Sequence, residues 1–491
     1  MNSEKVILKI YGIELEFKTI MNNRVNYFLK NTLIFLLGSF GSKFLSFLLL
    51  PVYTSILSTD QYGQIDLVTT TQGLLLPIVT LGLSEAVLRF VMNAEIDNKS
   101  VLSNSIIAAF FSYACIFCTA NVINVFLKWE YMQWMLLILA CSMIYDIFTN
   151  YLKADQDSKK YVATGVLYTF INLTGNILFI VILRLGISGF LIATASSYFL
   201  VSVIILFKEK IYRQIKFRYT DKQLAKRMIR YSFPLIFTSL SWWIVTSSDK
   251  YMIRYFMSNS DVGTYSIASK IPLILQTLIS ILQTVWQIST NQIHDEEPQR
   301  LTENFVIFTR AFRQTGFIAG SFLIMFTQPL MMIIAKNEFY DGWIYVPFLI
   351  ISIVFSFATG MVSTLYGAYE KNSGVLYSVL IGGIINIILN FIFIPRIGVM
   401  GATVSTAVSR LVISIYRLKD TEKLLKFDRG YGAISLNCIL ITVQCCLLIF
   451  MKKMVYPLQI IFFILICLYN REIFFKGIHY ILEFLRRSKS E

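Results

Sequence analysis

Histidine is nearly absent from this sequence, and charged residues are sparse. Two histidines occur in 491 residues, and Asp, Glu, Lys and Arg together make up 15% of the chain. Every cysteine falls within an apolar run, so Cys115-x-x-Cys118 is interpreted as two small packing residues rather than half of a metal site. We therefore expect no metal site, no cofactor and no structural disulfide.

Long apolar runs are what the sequence has in abundance, because hydrophobic residues make up 56% of it. Runs of about 18 to 27 residues alternate with short polar turns, and each can cross a hydrocarbon core of about 30 Å. The sequence thus predicts an all-α, multi-pass membrane protein with about fourteen transmembrane helices. The predicted spans are 31–57, 63–88, 101–126, 131–152, 161–183, 186–207, 231–256, 263–289, 306–333, 341–368, 373–394, 397–416, 431–451 and 455–475.

Positive charge is distributed unequally between the turns. The formal net charge is +15, and the segment 208–230 is dense in Lys and Arg, whereas the turn 58–62 has neither. Under the positive-inside rule, both termini and the segment 208–230 are predicted to be cytoplasmic, in a bacterial cytoplasmic (inner) membrane. Nucleic acid is not expected as a partner, because no loop is long enough to form a folded basic face.

The chain contains an internal repeat. Residues 183–197 (LRLGISGFLIATASS) align without gaps on residues 395–409 (PRIGVMGATVSTAVS), and both contain Arg-x-Gly-x-x-Gly. A weaker similarity relates the turn 58–63 to residues 260–265. Parallel repeats of this kind occur in transporters whose substrate site lies between two lobes. The predicted organisation is a cytoplasmic N-terminal segment 1–30, a six-helix lobe 31–207, a basic linker 208–230, a second six-helix lobe 231–418, an extra helix pair 431–475 and a cytoplasmic tail 476–491.

Several of these features resemble one known family. Residues 51–63, PVYTSILSTDQYG, look like the opening of the polysaccharide transporters in the multidrug/oligosaccharidyl-lipid/polysaccharide exporter superfamily. The two lobes, the repeated glycine turn and the trailing helix pair are similar to that family as well. The resemblance implies a flippase, not an enzyme, that moves a polyprenyl (undecaprenyl)-pyrophosphate-linked oligosaccharide to the outer leaflet for O-antigen or capsule synthesis, by alternating access around a cationic cavity. Its expected partners are that lipid-linked oligosaccharide, membrane lipids, and a polysaccharide polymerase with its chain-length machinery.

Cations within the predicted spans are candidates for that cavity. A charge near the bilayer centre costs at least about 2.5 kcal/mol, so such residues face a bundle interior or water. Lys43, Lys250 and Lys270 lie on polar stripes of three predicted helices, and Arg254 lies one turn after Lys250. We predict that these four cations bind the anionic substrate. Snorkelling or structural pairing of the lysines, and an interfacial anchor role for Arg254, are the alternatives.

Two further pairs of charged residues lie near predicted span ends. Glu85 and Arg89 are candidates for a headgroup gate, and a salt bridge between them is the alternative. Arg310 and Arg313 are candidates for a cytoplasmic mouth that attracts an anionic substrate. A positive-inside role explains these two arginines equally well.

Amide and carboxylate side chains within the spans complete the predicted site. Sugars require amide and aromatic partners. The candidate sugar contacts are Asn172, Asn176, Gln283, Gln287, Asn386 and Asn390. Asp249 and Asp146 are candidates for coupling transport to a proton or sodium gradient, and neutralisation of Lys250 is the favoured alternative for Asp249.

Two other transporter functions fit the same architecture. A flippase for the peptidoglycan lipid precursor would share the fold and the cationic cavity, and a multidrug antiporter of the same superfamily would favour carboxylates in its cavity. A membrane glycosyltransferase is disfavoured, because the Asp-x-Asp at 155–157 lies in a Lys-rich turn that is predicted to be cytoplasmic. Four prolines inside spans (Pro51, Pro77, Pro272 and Pro329) predict bends, either for alternating access or as static kinks.

Overall fold

The structure, a computed structural model, is helical throughout the residues that it describes. These are residues 47–93, 95–154, 158–296, 298–369, 373–451 and 455–471, together with Gly41, Leu45 and Lys371. No β-strand occurs among them, so the predicted all-α fold is confirmed. The predicted segment 1–30, the tail 476–491 and Lys43 lie outside the described residues.

The helices of the first half follow the predicted spans closely. In chain order they are α1 (Leu50–Ile56), α2 (Thr59–Val79), α3 (Leu83–Val91), α4 (Asn98–Leu127), α5 (Met132–Ala154), α6 (Ser158–Asn176) and α7 (Gly186–Lys208). A π-helical segment, Ile177–Ile182, extends α6 toward α7. The basic linker after α7 contains two short 3-10 helices, Ile211–Arg213 and Phe217–Tyr219.

The second half begins with the longest described helix. Its helices are α8 (Lys222–Phe256), α9 (Asn259–Ala268), α10 (Lys270–Glu296), α11 (Pro298–Met325), α12 (Thr327–Ile334), α13 (Val346–Gly360), α14 (Thr364–Ala368), α15 (Ser373–Ile397), α16 (Val399–Asp420), α17 (Tyr431–Phe450) and α18 (Val455–Tyr469). The 3-10 helices Asn337–Tyr345 and Thr421–Lys423 precede α13 and follow α16.

Among the described residues, eight spans are long and apolar enough to cross a membrane, or eleven if each of three bent helix pairs counts as one span. Two more predicted spans correspond to α8, which is 35 residues long, and to the shorter apolar helix α18. Most of the first predicted span lies outside the described residues. The chain is therefore a multi-pass membrane protein, and fourteen is an approximate count.

The bent helix pairs lie beside three of the predicted proline bends. The bends measure 53° between α2 and α3, 42° between α9 and α10, and 63° between α11 and α12. Pro77, Pro272 and Pro329 each lie within a few residues of one of these breaks. Because proline removes a backbone donor and clashes with the preceding turn, it weakens the helix at that point.

The repeated Arg-x-Gly-x-x-Gly motif forms a tight helix–helix turn in both halves. Gly186 and Gly398 have φ angles of +55° and +63°, a region that favours glycine. Three residues later, a Cβ atom added to Gly189 would lie 2.8 Å from the carbonyl oxygen of Phe179, and one added to Gly401 would lie 2.7 Å from that of Phe393. The two copies thus hold α7 against α6 and α16 against α15.

The two halves meet where α2 crosses α9 backbone to backbone. A Cβ atom added to Gly63 would lie far inside van der Waals contact with the carbonyl oxygen of Asn259. One added to Gly263 would meet the carbonyl oxygen of Thr59 in the same way. This reciprocal contact is the pattern that a local two-fold axis produces.

The helix caps on either side of this crossing establish the register of the weaker repeat. The Oγ atoms of Ser58 and Ser258 accept the backbone N–H of Gln61 and Asp261, each at 3.2 Å. The turn 58–63 therefore corresponds to 258–263. The sequence-based alignment of this turn with residues 260–265 was therefore wrong by two residues.

The extra helix pair packs on α11 through buried amides. Ser321 Oγ donates to Gln444 Oε1 at 2.7 Å, and Gln444 Nε2 donates to the carbonyl oxygen of Ser321 at 3.1 Å. Gln459 Nε2 donates to the carbonyl oxygen of Gln444 at 3.0 Å. In apolar surroundings such hydrogen bonds specify which helix faces meet, so α17 and α18 are attached to the second half.

Candidate functional site

A cavity of about 720 Å³ opens among α8, α9, α10, α13 and α16. Four cations lie on its wall, Lys250, Lys270, Arg410 and Arg417, whereas Asp249 is the only carboxylate there among the described residues. Most of the other lining side chains are hydroxyls, amides or apolar groups. The cavity therefore carries an excess of positive charge in a protein whose spans are otherwise apolar.

Helical periodicity brings the two arginines to the same wall. Arg410 and Arg417 are seven residues apart on α16, which is two turns and about 10.5 Å along the axis. The guanidinium of Arg417 lies over the ring of Trp242 on α8, at 5.8 Å from its centroid. Lys250 follows Trp242 on α8 by eight residues, or about 12 Å. The cations thus lie at successive levels of the cavity.

Neither arginine forms an ion pair within the described part of the chain. Arg417 is 8% exposed, and its Nε and Nη1 donate to the hydroxyls of Ser378 and Ser363 at 2.9 and 3.0 Å. Arg410 Nη1 donates to Ser356 Oγ at 3.0 Å. Arg417 Nη2 and Arg410 Nε have no hydrogen-bond partner among the residues that the structure describes. Since a desolvated cation with only neutral partners is unfavourable, an anion that enters the cavity would stabilise both groups.

Asp249, in contrast, is surrounded by hydrogen-bond donors. Its carboxylate accepts from the Tyr265 hydroxyl at 2.8 Å, from Asn390 Nδ2 at 2.6 Å and from the Thr406 hydroxyl. Asn390 Nδ2 also donates to Asn386 Oδ1 at 3.1 Å. Both asparagines are fully buried and neither lines the cavity, so the structure does not place them as sugar contacts. They hold Asp249 instead.

Lys250 links the two halves through an ion pair. Its Nζ lies 2.6 Å from Asp66 Oδ2 on α2 and donates to Thr70 Oγ1 at 3.3 Å. Ser266 Oγ on α9 donates to the same Asp66 oxygen at 2.8 Å. Asp66 follows Gly63 by about one helical turn. The ion pair thus lies beside the glycine crossing, and Lys270 adds further positive charge near Asp66.

The remaining predicted cavity residues differ in their positions. Gln283 lines the cavity with Lys250 and Lys270. Arg254 is exposed near the end of α8, one helical turn beyond Lys250, and does not line the cavity. Lys43 and the side chain of Gln287 lie outside what the structure describes.

The predicted gate and mouth residues do not form one group. Glu85 and Arg89 are both exposed on α3, and no ion pair joins these two described residues. Arg310 is exposed on α11, whereas Arg313 is 6% exposed and its Nη1 donates to the carbonyl oxygen of Arg429 at 2.7 Å. Arg313 is not placed at a mouth, because its guanidinium holds the loop before α17.

The first-half candidates form hydrogen bonds within their own helices. Asn176 Nδ2 donates to the carbonyl oxygen and to Oδ1 of Asn172 at 2.7 and 2.9 Å. Asn150 Nδ2 donates to Asp146 Oδ1 at 3.2 Å. None of these residues lines the cation-lined cavity, so the structure does not bring Asn172, Asn176 or Asp146 together with the cations.

Sequence reasoning did not assign three charged groups to the site, namely Arg410, Arg417 and Asp66. Arg417 lies one residue beyond the end of the predicted span 397–416, although α16 continues to Asp420. Its seven-residue spacing from Arg410 was the available signal. Asp66 is an intramembrane carboxylate in the predicted span 63–88, and such residues are functional candidates by default.

Three comparisons with known proteins bear on this site. Residues 28–287 match the protein family described as Polysaccharide biosynthesis protein. The chain is 24% identical over 260 residues to a protein of the Lsg locus of Haemophilus influenzae, across 52% of this chain and 63% of that protein. The chain therefore spans less than two thirds of this relative's length.

Two solved structures share the fold. One is the lipid II flippase MurJ in an inward closed conformation, with a TM-score of 0.69 and 16% identity over 91% of this chain and 99% of that chain. The other is an inward-facing multidrug resistance MATE family transporter of the MOP superfamily, with a TM-score of 0.67 and 16% identity over 78% of this chain and 95% of that chain. At this identity the two structures show a common architecture.

Proposed function

The chain belongs to the polysaccharide biosynthesis protein family, and from this premise we propose that it is a flippase for a polyprenyl-pyrophosphate-linked oligosaccharide. It moves the repeat unit of a surface polysaccharide, O-antigen or capsule, across the cytoplasmic membrane. Its two halves alternate access to the cation-lined cavity, and the polyprenyl chain stays in the bilayer.

The single observation that supports this substrate is that Arg417, which is buried, and Arg410, which is half-buried, form no ion pair within the described part of the chain. A pyrophosphate diester carries two negative charges, and planar guanidinium groups bind phosphate oxygens in a bidentate manner. Arg410 and Arg417 each offer an N–H that no described residue accepts. Lys270 adds a third cation on the same wall. The lining hydroxyls and Gln283 supply neutral partners for sugars.

The same observation separates this proposal from a multidrug antiporter, whose fold is shared. A cationic drug needs a carboxylate that is free to pair with it. Asp249 is 1% exposed and already accepts hydrogen bonds from Tyr265, Asn390 and Thr406. An entering cation would also meet Lys270, Arg410 and Arg417 on the cavity wall, so the electrostatics favour an anion.

Coupling and partners complete the proposal. We assign to Asp249 the coupling of transport to a proton or sodium gradient, because it is the only carboxylate on the cavity wall among the described residues. The transported product would pass to a polysaccharide polymerase and its chain-length machinery on the outer face.

The membrane orientation gives a first test. Reporter fusions are expected to place residues 208–230 and the C-terminus in the cytoplasm and the turn 58–62 outside, because Lys and Arg accumulate on the cytoplasmic side. An external C-terminus would contradict the even number of spans.

Loss of the unpaired cations gives the test of function. In cells where this chain is the only route of export, Arg417→Gln and Lys270→Gln are expected to lower surface polysaccharide about ten-fold or more each. The reason is that one charge-assisted hydrogen bond contributes about 1.5–3 kcal/mol and about 1.4 kcal/mol corresponds to a factor of ten. Mass spectrometry should show the polyprenyl-pyrophosphate-linked oligosaccharide accumulating.

Arg254→Gln is the matched control, because it removes one cation from an exposed position of α8 outside the cavity. It is expected to export normally. Accumulation of the peptidoglycan lipid precursor would instead identify that precursor as the substrate. Increased sensitivity to cationic drugs with normal polysaccharide would favour the multidrug function.

A further inference from the structure

A second cavity, of about 550 Å³, lies between the two halves of the chain. Arg89, Phe90 and Met92 line it from the end of α3 and the turn after it, and Arg227 and Tyr231 line it from α8. It shares no lining residue with the cation-lined cavity. Because α3 follows α2, this cleft lies at the opposite end of that bent span from Gly63.

Two arginines line the cleft, and one of them, Arg227, lies on an aromatic ring. The guanidinium of Arg227 lies 5.9 Å from the ring centroid of Phe90, and Phe90 packs edge-to-face on Tyr231 at 5.9 Å. A guanidinium held by its face keeps its N–H edges available to an acceptor. No lining residue is acidic, although the exposed Glu95 and Asp97 flank the lining residue Ile96, and Glu85 lies one turn before Arg89 on α3. The cleft is therefore complementary to an anion.

Next to the arginines, the surface becomes apolar. Met92 is 57% exposed, Phe233 is 56% exposed and Phe237 is 52% exposed, and the two phenylalanine rings pack at 5.2 Å. Exposed aromatic and aliphatic side chains on a membrane-spanning helix contact acyl chains. Arginines at the edge of such a surface lie where lipid headgroups lie.

The walls of the cleft are held at a fixed separation. Ser232 Oγ on α8 donates to the carbonyl oxygen of Leu81 at 2.8 Å. Gly82, with a φ angle of +64°, packs so closely that an added Cβ atom would lie 3.0 Å from the carbonyl oxygen of Ser232. The cleft is thus formed by both halves and exists before any ligand arrives.

We propose that this cleft binds the headgroup phosphate of an anionic phospholipid, so that one lipid molecule bridges the two halves. A zwitterionic lipid is disfavoured, because its own ammonium group would face two arginines. The polyprenyl-linked substrate is disfavoured because its sugars and pyrophosphate have matched partners in the other cavity. The bound lipid contacts both α3 and α8 and stabilises the arrangement in which these two helices pack against each other.

Lipid retention by the purified full chain tests this proposal. The protein in detergent is titrated with phosphatidylglycerol in the presence of phosphatidylcholine, and bound lipid is counted by native mass spectrometry. The double variant Arg89→Gln/Arg227→Gln is expected to bind phosphatidylglycerol about 25-fold more weakly, about five-fold for each arginine. The double variant Arg89→Lys/Arg227→Lys should retain most of the binding. If the double Gln variant unfolds, Arg89→Gln alone is expected to show the five-fold loss.

A matched control removes the same charge elsewhere in the basic linker. Arg213 and Arg218 are exposed and also lie beside tyrosine rings, at 5.6 Å from the centroids of Tyr212 and Tyr219. The variant Arg213→Gln/Arg218→Gln is expected to bind like the unaltered protein. Equal loss in this control would show general charge attraction and overturn the proposal. Unchanged binding by the cleft variant, or selective binding of polyprenyl phosphate, would overturn it as well.

Discussion

Replacing Gly263 with alanine is expected to lower transport about ten-fold or more while leaving the protein in the membrane. The added Cβ atom would meet the carbonyl oxygen of Thr59, which belongs to a backbone that cannot move aside as a side chain can. Overpacking of this kind costs about 1–3 kcal/mol. This cost applies only to the arrangement in which α2 and α9 are in contact. The equilibrium therefore shifts toward arrangements in which the two helices are apart. Gly63→Ala is expected to do the same because the contact is reciprocal.

Cross-linking measures the crossing directly. The hydroxyl oxygens of Thr59 and Ser260 lie 2.7 Å apart, so cysteines at these two positions are close enough to form a disulfide. The cross-link should form readily in the otherwise unaltered chain and much less in the Gly263→Ala background. Gly73→Ala on α2, the helix of Gly63, is the control, because an added Cβ atom there meets nothing within 4 Å. Normal transport and cross-linking in Gly263→Ala would show that this crossing does not gate the pathway.

The fold could be predicted from the sequence because its determinants are local. Apolar runs of membrane length define α4, α7 and α15, and the repeated Arg-x-Gly-x-x-Gly motif defines two helix turns whose glycines have positive φ angles. These features depend on residues within one helix or one turn. A single sequence therefore contains enough information to place them.

The candidate site was harder to predict because its partners come from distant parts of the chain. Helical periodicity could place Asn386 and Asn390 on one face of α15, but not the carboxylate of Asp249 opposite them. In the same way, Arg313 has the positive charge that is expected of a residue at the cytoplasmic mouth. Only its hydrogen bond to the Arg429 carbonyl oxygen shows that its role is structural. Side-chain type and spacing specify a face of a helix, whereas the neighbouring helix decides what that face does.

The role of Lys250 also depends on a neighbouring helix, and this dependence leads to the second prediction with a large expected effect. On the sequence alone it is a cavity cation like Lys270. In the structure its ammonium is neutralised by Asp66 of the other half, and the two side chains are 15% and 8% exposed. Under the proposed function, an anionic substrate that reaches Lys250 would compete with Asp66 for the same nitrogen. The ion pair joins the halves in this structure, and such competition would release it.

Lys250→Met and Asp66→Asn are each expected to destabilise the protein by about 3–5 kcal/mol, because removing one partner leaves the other as an uncompensated buried charge. The double variant should be destabilised by less than the sum, since neither charge then remains. Denaturant unfolding in detergent gives the free energies, and the double-mutant cycle isolates the coupling between the two side chains. The Asp66→Asn variant should also bind an anionic substrate with higher affinity than the unaltered chain, because its Lys250 ammonium is no longer paired with a carboxylate.

The ion pair between Lys423 and Asp420 provides the matched control. Its nitrogen–oxygen distance is 3.2 Å and the Lys423 side chain is 79% exposed. Because water and salt screen such a surface pair, its removal is expected to change stability by about 1 kcal/mol or less. If the Lys250 and Asp66 variants were additive, or no more destabilising than this control, the ion pair would not join the halves. Lys250 would then act on the substrate alone, as a cation of the cavity wall.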